Sequence, residues 1–121
     1  MSNLNTIEIK AFLPAKNYST SVRFYQDLGF TLASDQDGIA YFHHGNTSFL
    51  LQDFYEEEYA SNFMMHLLVE DVDAWFEHID NSGIREKYRV HYTKVTTEPW
   101  GMRDFVLTDP SGVLWRIGQN I

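Results

Sequence analysis

Cysteine is absent from the chain, which removes thiol nucleophiles, zinc-thiolate centres and disulfides and fits a reducing compartment. Proline and glycine are sparse, 3 and 7 in 121 residues, too few for a low-complexity or disordered chain. Basic residues are outnumbered, 9 Lys and Arg against 17 Asp and Glu. The resulting net charge of -8 repels nucleic-acid phosphates and anionic lipid, so neither nucleic acid nor membrane is expected as a partner. No apolar run approaches membrane-spanning length, and the start, MSNLNTIEIK, lacks the basic region and apolar run of a secretory leader; a cytoplasmic protein is expected. The phosphate loop, GxGxxG after a strand, HExxH and GxSxG are missing too, and with them the catalytic devices they build.

What the chain does have is aromatic residues. Its length suits one ordinary domain, 1–121, able to bury a core unaided. Nineteen Phe, Tyr and Trp, 16% of the residues, exceed what so small a core needs. The surplus points to a cleft that stacks flat ligands or to a subunit interface. Acidity makes a cationic ligand welcome, although it also serves solubility.

The periodicity divides the chain into two similar halves. From Thr6, Ile7, Ile9, Ala11 and Leu13 alternate with Glu8, Lys10 and Phe12, the pattern of a half-buried strand. From Asn17 the spacing becomes helical, with Tyr18, Val22, Tyr25 and Leu28 on one face, Asn17 as cap and Gly29 as stop. Strands are expected at about 30–34, 39–44 and 47–53, with Asp37-Gly38 and Gly45-Asn46 as turns. The acidic stretch 54–62 lacks a period and reads as a connector. The order then returns: a strand over 63–69, a helix capped by Asp71 and ending near Gly83, and strands at about 90–96, 103–108 and 113–119, the last two joined by Asp109-Pro110-Ser111-Gly112. The expectation is an α+β fold of two β-α-β-β-β modules, about 6–53 and 63–119, whose curved sheets surround a concave cleft with helices on the outer faces.

Three stretches, SVRFYQDLGF, LLVEDVDAWFEHIDNSGI and EPWGMRDFVLTDPSGVLWRIGQ, resemble the glyoxalase / bleomycin-resistance / extradiol dioxygenase group, the vicinal-oxygen-chelate superfamily. The likeness runs through essentially the whole chain and, in PWG followed by RDF, is greatest to the bleomycin-resistance type of binding protein. Metal-using enzymes of that group take His, Gln and Glu ligands from strands of both modules. The resemblance places Lys10, Leu51 or Gln52, Met64 and Arg116 at those positions. Lys10 and Arg116 are cations, and a guanidinium has no lone pair to give a metal. His66 shares a strand face with Met64, but with Gln52 and Glu8 it makes a poor ligand set. His43 and His44 point to opposite faces; His78, on a helix, and His91 are expected in solvent.

No metal, no other cofactor and no catalytic residue are therefore expected. The resemblance implies a small-molecule binder, sequestering a planar or cationic antibiotic, and a homodimer. The alternative it leaves open is a metal-dependent lyase, isomerase or dioxygenase with an atypical site. Trp100, beside Gly101 in a loop, is the candidate stacking element. Phe12, His43, Gln52, Met64, His66, Leu114 and Arg116 join it as candidate ligand-binding residues by strand parity or by their place in the family cleft. Trp75 and Trp115 have core parity. Arg103 and Asp104 belong to the same motif and are candidates for cross-strand pairing.

Overall fold

The computed structural model describes residues 2–121. Strand β1 (Phe12–Pro14), helix α1 (Tyr18–Leu28) and strands β2 (Thr31–Gln36), β3 (Ile39–His44) and β4 (Thr47–Gln52) form the first module. A short helix α2 (Glu57–Ser61) leads to the second: β5 (Met64–Leu68), α3 (Val72–Ser82), α4 (Ile84–Tyr88), β6 (Thr96–Glu98), β7 (Met102–Thr108) and β8 (Leu114–Asn120). The class is α+β, as expected. Each module is a four-stranded sheet, ordered β1-β4-β3-β2 and β5-β8-β7-β6. In each, the first strand runs parallel to the last and the remaining ladders are antiparallel.

The two long helices form where the sequence places them. Asn17 accepts the Thr20 amide at 3.1 Å and Asp71 the Ala74 amide at 3.0 Å, each satisfying a donor that the first helical turn leaves free. Gly29 at φ 124 and Gly83 at φ 73 end them in conformations that side chains resist.

One face of each sheet is buried, and both buried faces share one core. Trp115 of β8 packs 5.3 Å from Phe49 of β4, 5.7 Å from Phe30 and 5.7 Å from Tyr25 of α1, measured between ring centroids. Its indole N–H donates to the Tyr25 hydroxyl at 2.9 Å, and that hydroxyl donates to Asp109 at 2.5 Å. Burial holds the Asp109 carboxyl above its ordinary range in spite of donors from Tyr25, Val113 and Ser111, and it raises the Tyr25 phenol as well. A buried polar chain thus ties the β7–β8 turn to the first module's helix. The sequence places Trp115 in the core, and there it lies.

Four expectations need correction. The first strand does not begin at Thr6: only Phe12–Pro14 is strand, and Ile7 and Ile9 are 98% and 95% exposed. Glu8 instead bonds side chains on the face of the sheet, Tyr41 and Ser48. The connector contains a helix, α2, whose Ala60 is fully buried. The strand expected at 90–96 is reduced to a single bridge, Tyr92 to Leu107, and the pairing strand starts at Thr96. Leu51 is fully buried with its partner Leu13, so of the two residues proposed for one ligand position only Gln52 reaches the open face.

Candidate functional site

The faces left open carry the candidate residues, in two sets. On the first sheet the open row holds Phe12, Gln52 and His43 together with Leu50, Tyr41 and Ser48. On the second it holds Met64 opposite Leu114 and His66 opposite Arg116, then Val106, Asp104 and Met102. The parity reading is right for all seven strand residues. No ladder, hydrogen bond or ion pair joins the two sets among the described residues. They approach where the start of β4 meets β5: a cavity of about 260 Å³ has both Ser48 and His66 in its wall.

Arg116 is the centre of the second face. Its Nη1 donates to Asp104 Oδ2 at 2.7 Å and lies 3.8 Å from Glu98 Oε2. Asp104 is only 2% exposed. It stands directly opposite Gly118 and reaches Arg116 along the diagonal, the reach that long side chains have across an antiparallel pair. A Cβ on Gly118 would come 2.7 Å from Met102 Sδ and 3.1 Å from Asp104 Cβ; a side chain there would disturb the pair. Thr96 donates to the other oxygen of Glu98 at 3.1 Å. Trp100, in the β6–β7 turn, is 61% exposed, with the Arg116 guanidinium carbon 5.9 Å from its ring centroid. One cation thus sits between two carboxylates beside an uncovered indole, and the local charge is one unit negative.

Chemistry follows from that arrangement. The metal-using enzymes that the sequence resembles need oxygen or nitrogen lone pairs here. This face offers one imidazole, His66, beside a guanidinium already bound by Asp104 and close to Glu98, a thioether and the apolar Leu114, and a divalent ion would be repelled by Arg116. Among the described residues no group of three or more His, Asp or Glu is spaced to hold a metal ion. The donor set does not fit the metal.

The first sheet's open face is organised by the N-terminal segment. Glu8 accepts Tyr41 Oη at 3.0 and 3.2 Å, Ser48 Oγ at 2.5 Å and Lys10 Nζ at 2.8 Å. Lys10 also stands 5.1 Å from the Tyr41 ring. Glu8, Tyr41, Ser48 and His43 line a cavity of about 440 Å³. These bonds, that from Lys10 foremost, lower Glu8 from 4.5 to about 2. A carboxyl lowered on folding stabilises the docked segment fully above its ordinary value and loses that effect as pH falls towards the folded one. The segment should therefore detach between pH 4.5 and about 2, seen by NMR as loss of the Tyr41 and Ser48 environment, and Glu8→Gln should detach it at neutral pH.

Sequence reasoning named Glu8 only as a poor metal ligand and missed Tyr41 and Ser48, because their meeting depends on the chain leaving the ladder at residue 11. It also passed over Glu98. Asp104 was legible: it shares parity with Val106, and the bulky cation Arg116 on the same face requires a counter-charge. Arg103, by contrast, bonds Asp73 of α3 at 2.7 Å and not a neighbouring strand.

A family model for the Glyoxalase/Bleomycin resistance protein/Dioxygenase superfamily matches residues 4–117. The chain belongs to that superfamily. It is 27% identical over 116 residues to a bleomycin resistance protein of Klebsiella pneumoniae, covering 89% of this chain and 88% of that one. In structure it is similar to a bleomycin-binding protein complexed with bleomycin, with a TM-score of 0.82 at 23% identity, covering 96% of this chain and 100% of the other. A transposon-encoded bleomycin resistance determinant gives a TM-score of 0.80 at 25% identity, over 95% and 98% of the two chains. The fold found here is that of these relatives.

Proposed function

We propose that the protein binds and sequesters a small antibiotic-like molecule that is flat and positively charged, without chemical conversion. The observation that carries this reading is the exposed Trp100 beside Arg116, Asp104 and Glu98. An indole gives a stacking surface, and the unneutralised carboxylate charge favours a cation over an anion. The bleomycin-binding relatives support the ligand class. No helix among the described residues is long and apolar enough to cross a membrane.

Calorimetric titration with bleomycin and a panel of flat cationic glycopeptides tests the reading. Trp100→Ala should weaken binding by about 1 kcal/mol and Trp100→Phe by less. The melting temperature should move little, because Trp100 is outside the core. Equal affinity of wild type and Trp100→Ala would remove this residue from the site.

The same reading includes a homodimer. Leu4, Ile7 and Ile9 on the N-terminal segment and Met64 and Phe12 on the open faces are exposed, apolar side chains for a partner to cover. A second copy that covered them would oppose an open face of one chain to that of the other and close the cleft. Light scattering should give twice the chain mass at micromolar concentration, and Ile7→Glu with Ile9→Glu should shift the protein towards monomer. A wild-type monomer would exclude the arrangement.

A further inference from the structure

The C-terminal end of α1, the end of β3 and helix α3 enclose a groove that the proposed function does not use. One cavity, of about 380 Å³, is lined by Leu28, Gly29, His44, Ala74, Trp75 and His78. A second, of about 470 Å³, shares His44, Ala74 and Trp75 with it, continues to Glu70 and Asp71, and at Thr47, Leu67 and Leu68 adjoins the cavity where the open faces approach. Trp75 is half-buried, with the His44 ring set edge-on to it at 5.2 Å. The two imidazoles are fixed by backbone. His44 Nδ1 bonds the Gly29 carbonyl at 3.1 Å and His78 Nε2 the Leu28 carbonyl at 3.0 Å.

A carbonyl only accepts, so each of those ring nitrogens carries the proton. His44 Nε2 and His78 Nδ1 are thereby left as acceptors in the neutral rings. Asp71 is engaged as the cap of α3, whereas Glu70 is exposed and has no side-chain partner among the described residues. Trp75 and His44 thus line both cavities of the groove, His78 the first and Glu70 the second. This is the complement of a flat ring bearing several N–H donors and a positive charge. We propose that the groove between the end of α1 and helix α3 is a second small-molecule site, selective for aromatic cations of the arylamidinium or arylammonium type, in which Trp75 contacts the ring and Glu70 the charge. Trp75, His78 and Glu70 line neither cavity of the open faces.

Benzamidine and its uncharged counterpart benzamide are the probes. Titrated into the full-length protein under NMR observation, benzamidine should shift the Trp75 indole N–H and the His44 and His78 ring signals with a millimolar dissociation constant. Benzamide should bind at least about threefold more weakly, the scale of one exposed ionic contact. Glu70→Gln, an exposed change that leaves the fold alone, should weaken benzamidine about threefold and leave benzamide unaltered; Trp75→Leu should weaken both. Equal affinity for the two probes, indifference to Glu70→Gln, or shifts confined to Trp100 and the second open face would overturn the proposal. So would the absence of any shift at Trp75, including the case in which a second copy of the chain covers it.

Discussion

Replacing Asp109 by Ala should lower the unfolding free energy by about 3 kcal/mol. The carboxylate is 3% exposed and accepts the Ser111 and Val113 amides at 2.8 and 2.9 Å as well as the Tyr25 hydroxyl. Alanine leaves all three donors facing a site where water has little access, and an unpaired buried donor costs about 1–3 kcal/mol. The three will not add in full, since the turn can relax. Tyr25→Phe should cost less, about 1–2 kcal/mol: it orphans one carboxylate lone pair and the Trp115 indole N–H, but keeps the turn bonded. Urea midpoints at unchanged slope are the measurement. An Asp109→Ala loss under about 0.5 kcal/mol would mean that the turn binds to the first module by packing alone.

That turn also shows what could be read from the sequence. Asp109-Pro110-Ser111-Gly112 between two alternating runs fixes a hairpin, because Pro sets one dihedral angle and Gly112 takes the positive φ of 95 that other residues resist. The spacing of Val22, Tyr25 and Leu28 likewise fixes a helix face. What the pattern could not give is the partner of Tyr25, which lies 84 residues away. The N-terminal strand failed for a related reason. Alternation of Ile7, Ile9 and Ala11 is a statement about two faces, and it is satisfied only if something covers the apolar one. In the single chain nothing among the described residues covers it, and Ile7 and Ile9 stay in water while Glu8 bonds Ser48. The candidate site divides in the same way. Parity gave the open rows on both sheets, whereas the clustering of Glu98, Asp104 and Arg116 comes from a register that no single strand contains.

Removing Arg116 should be more damaging than removing the carboxylate it binds. Arg116→Ala leaves Asp104 almost wholly buried with Glu98 close by, and an uncompensated buried charge costs about 3–5 kcal/mol. Some relaxation through Thr96 and the exposed strand end places the expected loss near the lower figure, about 3 kcal/mol. Asp104→Ala removes the same bond from the other side. Arg116 has a side chain 30% exposed and retains Glu98 at 3.8 Å, so water and a second anion compensate it, and about 1 kcal/mol is expected. In the double variant Asp104→Leu with Arg116→Met both charges are gone and the stability should return to within about 1 kcal/mol of wild type. The coupling energy from urea melts of Asp104→Leu, Arg116→Met and the double variant measures the pair directly. Binding separates stability from function. The double variant should fold and still prefer cationic to neutral flat ligands, because it keeps Trp100 and the Glu98 charge, which Thr96 still holds, and the net local charge is unchanged. Additive single effects, with no recovery in the double variant, would show that Arg116 stabilises the sheet by its aliphatic stem against Trp100 and not by its charge.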